Sequence, residues 1–381
     1  MEFGWTDAQQ SYRKDLRAFL EETLPADWPE ISSHGVAAPE QIDFSRIFCA
    51  QLADAGLLVR HWPAEYGGGD GSAWEHFILG EEMLPIGEPR GPQYMNVNWL
   101  GPVLMKFGTE AQKAEHLGKI ASGNVIWCQG YSEPDAGTDL AGLQTRAVRN
   151  GDDYVINGSK IWTSYSYMAD YCFLLARTGS ERKQISIFLV PMDSAGITVT
   201  PVPGLTEYGH LNEVFLDDVR VPAALMLGEE GKAWDIISYA LSYERVGIPR
   251  YQLGRKVLDI AVEQLKSENR FDDLLVRSAA GRILAKLEAA RLLIYKVVDQ
   301  RAKDGPPSVD ANVARVAGGQ AVVDLMDFLI EYLPDGLTGG NPDLELFYRS
   351  QLSNTIAAGT YEIQLNLIAQ RALDLPKRSA K

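Results

Sequence analysis

A carboxylate set among apolar residues can take a proton from carbon, and this 381-residue chain offers a candidate. In the run AWDIISYALSYERVGIPRYQLGRKVLDIA, Ile237, Leu241, Glu244 and Ile248 recur at helical spacing. That spacing predicts Glu244 on the apolar stripe of a helix rather than on its wet face. Desolvation there favours the protonated form, which suits general-base work. The plainer alternative is a surface Glu paired with Arg245, but neighbouring helical residues do not face each other. Pro249 cannot donate to the carbonyl of Arg245 and is expected to bend the helix one turn after Glu244.

A second group of residues suits ligand binding. The run WCQGYSEPDAGTDLAGL, residues 127–143, is followed by NGSKIWTS at 157–164. A Ser-Glu-Pro turn beside Ala-Gly-Thr-Asp offers backbone N–H groups and two hydroxyls. Trp162 and Ser164, read as lying on one strand, add a flat apolar face and a hydroxyl, which fits a flat heteroaromatic ligand. The alternative is that Trp162 packs in the core and the Ser-Glu-Pro run is only a turn.

These residues need elements to position them. Residues 1–125 carry helical periodicity, with Leu16, Phe19 and Leu20 early and Ile47, Leu52 and Leu57 later. Residues 126–232 switch to short alternating runs punctuated by Asn150-Gly151 and Asn157-Gly158, the pattern of antiparallel strands and turns. From 233 to 381 helical periodicity returns. The expected class is therefore α+β, with an N-terminal helical domain, a middle β domain and a C-terminal helical bundle. Gly67 to Gly69 lack the strand-to-helix context of a phosphate loop and read as a turn. The five His are scattered, without the spacing of metal ligands.

Charge and cysteine content narrow the setting. A net charge of −15 opposes nucleic acid and anionic membranes. Cys49, Cys128 and Cys172 suggest neither a metal site nor a disulfide framework, so a reducing, cytoplasmic compartment is expected. The first twenty residues lack the apolar core of a signal peptide and read as an amphipathic helix.

Four motifs in order, SEPDAGTD, GSKIWTS, NEVFLDDVRVP and AGTYEIQLNLIAQRAL, give a chain that resembles the acyl-CoA dehydrogenase family, and HWPAEYGGG at 61–69 is similar to its N-terminal domain. The resemblance implies a four-helix C-terminal bundle, FAD bound where the domains meet, and oxidation of an acyl-CoA to a trans-2-enoyl-CoA. Tyr131 and Ser132 would line the flavin ring, Trp162 would pack on its face, and Ser164 would hydrogen-bond to it. Thr138 matches a residue that holds the pantetheine arm, and Arg245 one that contacts CoA. In the family the terminal motif reads I-Y-E-G-T-x-x-I-Q and its Glu is the base; here IAAGTYEIQ puts Ala358 there. Members acting on branched or bulky chains resemble the Glu244 arrangement instead. Ala358 would keep its backbone N–H for the thioester carbonyl, and Glu362 is a weaker substitute base.

Other positions depart from the family. Its neighbouring subunit usually contributes Arg-x-x-Phe-Gly and Gln-x-x-Gly-Gly to the FAD pyrophosphate. Here ENRFDD puts Glu268 and Asp272 at the first motif, and FLIEYLPDGL keeps neither Gln nor the paired Gly of the second. Arg270 is offset by two residues. The chain thus resembles the catalytic member of bacterial heteromeric dehydrogenases of sterol side chains. A homologous second subunit in an α2β2 assembly, with an electron-transfer protein as acceptor, is the implied setting. The alternatives are a homotetramer, a flavin monooxygenase or oxidase on the same fold, and a non-catalytic partner subunit.

Overall fold

The computed structural model describes residues 5–35, 37–206, 209–244, 249–303, 305 and 308–376. Its helices are, in chain order, α1 (Asp7–Thr23), α2 (Trp28–Ser33), α3 (Pro39–Asp54), α4 (Ala73–Met83), α5 (Gln93–Met95), α6 (Gly101–Phe107), α7 (Glu110–Ala121), α8 (Trp234–Glu244), α9 (Arg250–Ser267), α10 (Leu274–Ala302), α11 (Asp310–Tyr332), α12 (Pro342–Gln351) and α13 (Tyr361–Ala372). Two units interleave along the sequence. One comprises Met1–Gly35, Gly71–Glu88 and Glu244–Lys381, the other Val36–Asp70 and Pro89–Tyr243.

The first unit is helical. The α1 helix opens with a reciprocal Thr6 and Gln9 capping box and buries Tyr12, Leu16 and Leu20, spaced four apart on one face. The longest helices, α9 to α11, supply a core that includes Leu258, Leu265, Leu287, Ile294, Leu325 and Leu329. Glu81 of α4 is buried, yet it accepts hydrogen bonds from Tyr251 and from Tyr295 (2.6 Å) and pairs with Arg13 of α1. A buried carboxylate is tolerated only with such partners.

The second unit carries the strands β1 (Trp127–Gly130), β2 (Arg146–Asn150), β3 (Asp153–Lys160), β4 (Tyr171–Arg177), β5 (Ile185–Pro191), β6 (Ile197–Pro201), β7 (Asn212–Pro222) and β8 (Met226–Leu227). Their order is β6-β7-β3-β2-β4-β5-β8, with β1 beside β4. The alternating runs do form strands, but the sheet is mixed rather than wholly antiparallel. Both β1 and β2 run parallel to β4.

The two Asn-Gly pairs behave differently. Asn150 pairs with Asp153 across a two-residue connection in which Gly151 has φ 66°, the hairpin turn the dipeptide predicts. Asn157-Gly158 is not a turn; it lies inside β3. There the register with β7 shifts, and the extra residue of that bulge lies in β7. Asn157 exchanges two hydrogen bonds of 2.9 Å with Asp218, and a Cβ on Gly158 would overlap Thr145. The glycine permits a close approach of two strands rather than a reversal of the chain.

Candidate functional site

The second unit holds Tyr131, Ser132, Thr138, Trp162 and Ser164. Strand β1 ends at Gly130 and β3 at Lys160, and the loops that follow are joined by a 2.9 Å bond from the Ile161 N–H to the Ser132 carbonyl. Trp162 and Ser164 therefore lie in a loop beyond β3, not on a strand. The backbone explains why: Trp162 has φ 60° and Tyr165 φ 62°, which no strand accommodates.

Trp162 is 55% exposed, so it is not core packing. A large aromatic residue in the left-handed region costs about 1–3 kcal/mol and persists only where its surroundings impose it. Here they do. The Thr163 N–H donates to the Asn212 carbonyl (2.9 Å), Asn212 Nδ2 donates back to the Thr163 carbonyl (3.3 Å), and the Tyr165 N–H donates to the His210 carbonyl (2.8 Å). The Tyr165 ring stacks on His210 at 5.2 Å. The loop is thus fixed to the start of β7 while its tryptophan is turned outward. Ser132 and Ser164 are half-buried, and among the described residues neither hydroxyl nor either N–H of the pair donates a hydrogen bond. An exposed aromatic face beside uncommitted donors fits the edge and face of a flavin ring. Thr138 is exposed on the same stretch of chain as Ser132.

Beneath these loops lies a pair that the sequence reading did not single out. Lys160 is fully buried, with Nζ 2.7 Å from Glu133 Oε1 and 3.2 Å from the Tyr131 carbonyl. Glu133 also accepts from the N–H groups of Gln144 and Thr145 (2.9 Å for the latter). Burial alone would push the Glu133 carboxyl up, but the Lys160 charge and the backbone donors outweigh it and hold it below its ordinary value. At Lys160 burial wins, lowering the ammonium against the pull of Glu133. The directions differ in origin because the carboxylate has backbone donors as well as its ion partner.

Removing one member of a buried pair strands the other. Lys160→Met is expected to lower the unfolding free energy by about 3–5 kcal/mol. Because the folded value of Glu133 lies below its unfolded one, its contribution is present above the unfolded pKa and is lost as pH falls through the folded value. In Lys160→Met that contribution is absent already at neutral pH. Denaturant unfolding of the ligand-free protein from acid to neutral pH checks both; a variant with the wild-type stability and acid limb would show that the pair holds nothing together.

The first unit holds Glu244 and Ala358. Glu244 is the last residue of α8, half-buried, four residues beyond buried Ala240 and seven beyond buried Ile237. Leu241, Ser242 and Tyr243 are half-buried as well, so burial does not set Glu244 apart from the rest of its turn. Arg245 and Ile248 lie outside the described residues. Pro249 itself is not helical but the N-cap residue of α9, which starts at Arg250; the segment between it and Glu244 lies outside the described residues. Glu362 is exposed in the first turn of α13, so it lacks the burial that favours a base.

Ala358 has φ 56° and Gly359 φ 93°, in the turn that leads to α13. The turn is held from α11. Arg315, buried, donates through Nη1 to the Asn354 side-chain oxygen (3.0 Å) and through Nη2 to the carbonyls of Asn354 and Ala357 (3.1 Å for the latter). Asn312 donates to Gln364 (2.6 Å), whose Nε2 donates to the carbonyls of Ala358 (3.4 Å) and Gly359 (3.2 Å). The Ala358 N–H donates no hydrogen bond among the described residues.

Along α9 and at ENRFDD several cations are already charge-paired, while Arg277 of α10 makes no ion pair among the described residues. Arg270 bonds Glu268 at 2.9 Å, Lys266 bonds Glu263 at 2.7 Å, Arg255 bonds Asp259 at 3.1 Å, and Lys256 lies 3.7 Å from Asp343. These exposed pairs are individually weak. A pyrophosphate there would nevertheless meet carboxylates beside each of the paired cations.

Three family models match the chain: acyl-CoA dehydrogenase N-terminal domain at residues 6–124, middle domain at 128–219 and C-terminal domain at 231–373. The acyl-CoA dehydrogenase IpdE1 of Mycobacterium tuberculosis is 33% identical over 385 residues, covering 97% of this chain and 98% of that protein. Among solved structures, the Tcur3481-Tcur3483 steroid ACAD superposes with a TM-score of 0.88 at 33% identity, over 99% of this chain and 100% of that one. The ChsE4-ChsE5 complex from Mycobacterium tuberculosis gives 0.85 at 32% identity, again over 99% and 100%.

Proposed function

This chain belongs to the acyl-CoA dehydrogenase family, an FAD-dependent one, and from that premise we propose that Glu244 is the base of its reaction, on an acyl-CoA with a bulky, steroid-type side chain. When bound, FAD supplies the acceptor for the β-hydrogen, a role no protein side chain can fill. The chain's own residues do the rest. Trp162 presents the face on which the flavin ring packs, Ser132 and Ser164 donate to its edge, and Tyr131 lines it. Glu244 takes the α-proton. The Ala358 N–H donates to the thioester carbonyl and stabilises the charge that develops there as the proton leaves. Thr138 and Arg245 contact the CoA moiety.

The observation that carries this reading is Trp162, exposed on a strained backbone beside two serines with uncommitted donors. Strain on an aromatic residue that packs in no core supports a ligand as the reason for it. The base on α8 supports a bulky acyl group, since it approaches the α-carbon from a different element than the terminal motif does. Likeness to a steroid ACAD and to a two-component complex supports a homologous second subunit, with an electron-transfer protein as the acceptor. No helix among the described residues is long and apolar enough to cross a membrane, and we place the reaction in the cytoplasm.

A screen of straight, branched and steroid side-chain acyl-CoAs with an artificial electron acceptor, in the presence of any co-expressed partner, tests the proposal. Formation of a 2-enoyl-CoA, fastest with the bulky thioesters, is expected. Oxygen consumption without an enoyl product would point to an oxidase instead, and a preference for short straight chains would remove the steroid assignment.

A further inference from the structure

One peptide unit links Ala357 to Ala358, and its two polar groups have different fates. Its carbonyl accepts a bond from the Arg315 guanidinium at 3.1 Å, while its N–H donates none among the described residues. A cation on an amide oxygen withdraws electron density from the nitrogen, so the N–H becomes a stronger donor; hydrogen bonds in series polarise one another in this way. The same guanidinium grips Asn354 at both its side chain and its backbone. That grip holds a turn in which an alanine adopts φ 56°.

Resting on the reading that the Ala358 N–H meets the thioester carbonyl, we infer that Arg315 is a positioning residue for the dehydrogenation. It never touches substrate. It fixes the orientation of the Ala358 N–H and, through the shared peptide, increases its power to polarise the carbonyl. Asn312 and Gln364 restrain the next two peptides through neutral amides, so they fix the turn without placing a charge on this one.

Infrared spectroscopy of a bound, non-reacting thioester separates these effects. The flavin-loaded enzyme, with its partner subunit where one co-purifies, is mixed with 2,2-dimethylhexanoyl-CoA, which has no α-hydrogen to lose, labelled with carbon-13 at the carbonyl. In the wild type the carbonyl stretch should fall below its value in water. Arg315→Met should lose most of that displacement and show about a 10- to 100-fold lower kcat with the best substrate of the screen, while KM changes by no more than about threefold. Arg315→Lys, which keeps the cation, should recover most of both. Arg315→Gln, which keeps an N–H donor without charge, should resemble Met and carries the test if Met fails to fold. Asn312→Ala should retain more of the displacement than either.

Retention of the wild-type displacement in Arg315→Gln or Arg315→Met would overturn the inference. So would equal losses in the Lys and Gln variants, since charge would then play no part. A wild-type enzyme that turns over acyl-CoA but shows no displacement would remove the Ala358 role, and one that turns over no acyl-CoA would remove the proposed function.

Discussion

Glu244→Gln should reduce turnover by about 10²- to 10⁴-fold while flavin content and acyl-CoA affinity stay near those of the wild type. Gln has nearly the same shape and keeps the packing of the half-buried end of α8, but it cannot accept a proton from carbon. Rapid mixing with the best acyl-CoA of the screen, followed by flavin absorbance, gives the rate of the chemical step directly. Near-normal bleaching in the variant would move the base elsewhere. Glu362 would be the first place to look, despite its exposure.

The second large effect concerns assembly. Expressed alone, this chain should purify with little flavin. Co-expressed with a homologue that carries the intact Arg-x-x-Phe-Gly run, it should hold about one FAD per pair, because one complete site then needs both chains. Each charge-assisted phosphate contact contributes about 1.5–3 kcal/mol, so two missing contacts weaken binding by about 10²- to 10⁴-fold. Glu268 adds repulsion, and its bond to Arg270 leaves that guanidinium engaged. The measurements are flavin-to-protein ratio and mass of the complex in solution. One tightly held FAD per subunit in a homotetramer would end the idea and would assign the pyrophosphate to Arg270 or another basic group.

Much of this was legible in the sequence because the signals are local. Helical spacing located the helix that carries Glu244, and alternation located the strands. The motifs around Ser132 and Trp162 mark loops that the structure ties together. The failures have physical causes. Asn-Gly favours a turn, but at Asn157-Gly158 the tertiary demand of Thr145 for space prevailed. The run after Lys160 continues β-like in composition, yet the left-handed backbone of Trp162 stops the strand, and no residue type announces that a tryptophan will adopt it. The Lys160 to Glu133 pair was within reach. Lys160 falls on the inward phase of β3, with Tyr154 and Ile156, and a lysine on that phase implies a buried partner. Periodicity cannot reveal which distant helices share a core, so the joining of α1 and α4 to the late helices was invisible.

That joining also imposes a timetable on synthesis. Everything in the unit that ends at Tyr243 has been translated before the last third of the chain exists. The helices α1 and α4 are made early, yet Glu81 waits for the hydroxyls of Tyr251 and Tyr295, and Phe77 waits for the core of α9 to α11. At about 5–20 residues per second the wait is on the order of ten seconds. For that interval Phe77 of α4 lacks the apolar core it joins and stays uncovered on the ribosome, where it is open to chaperones and to self-association. The sheet unit, complete by then, can fold around the Lys160 and Glu133 pair without it.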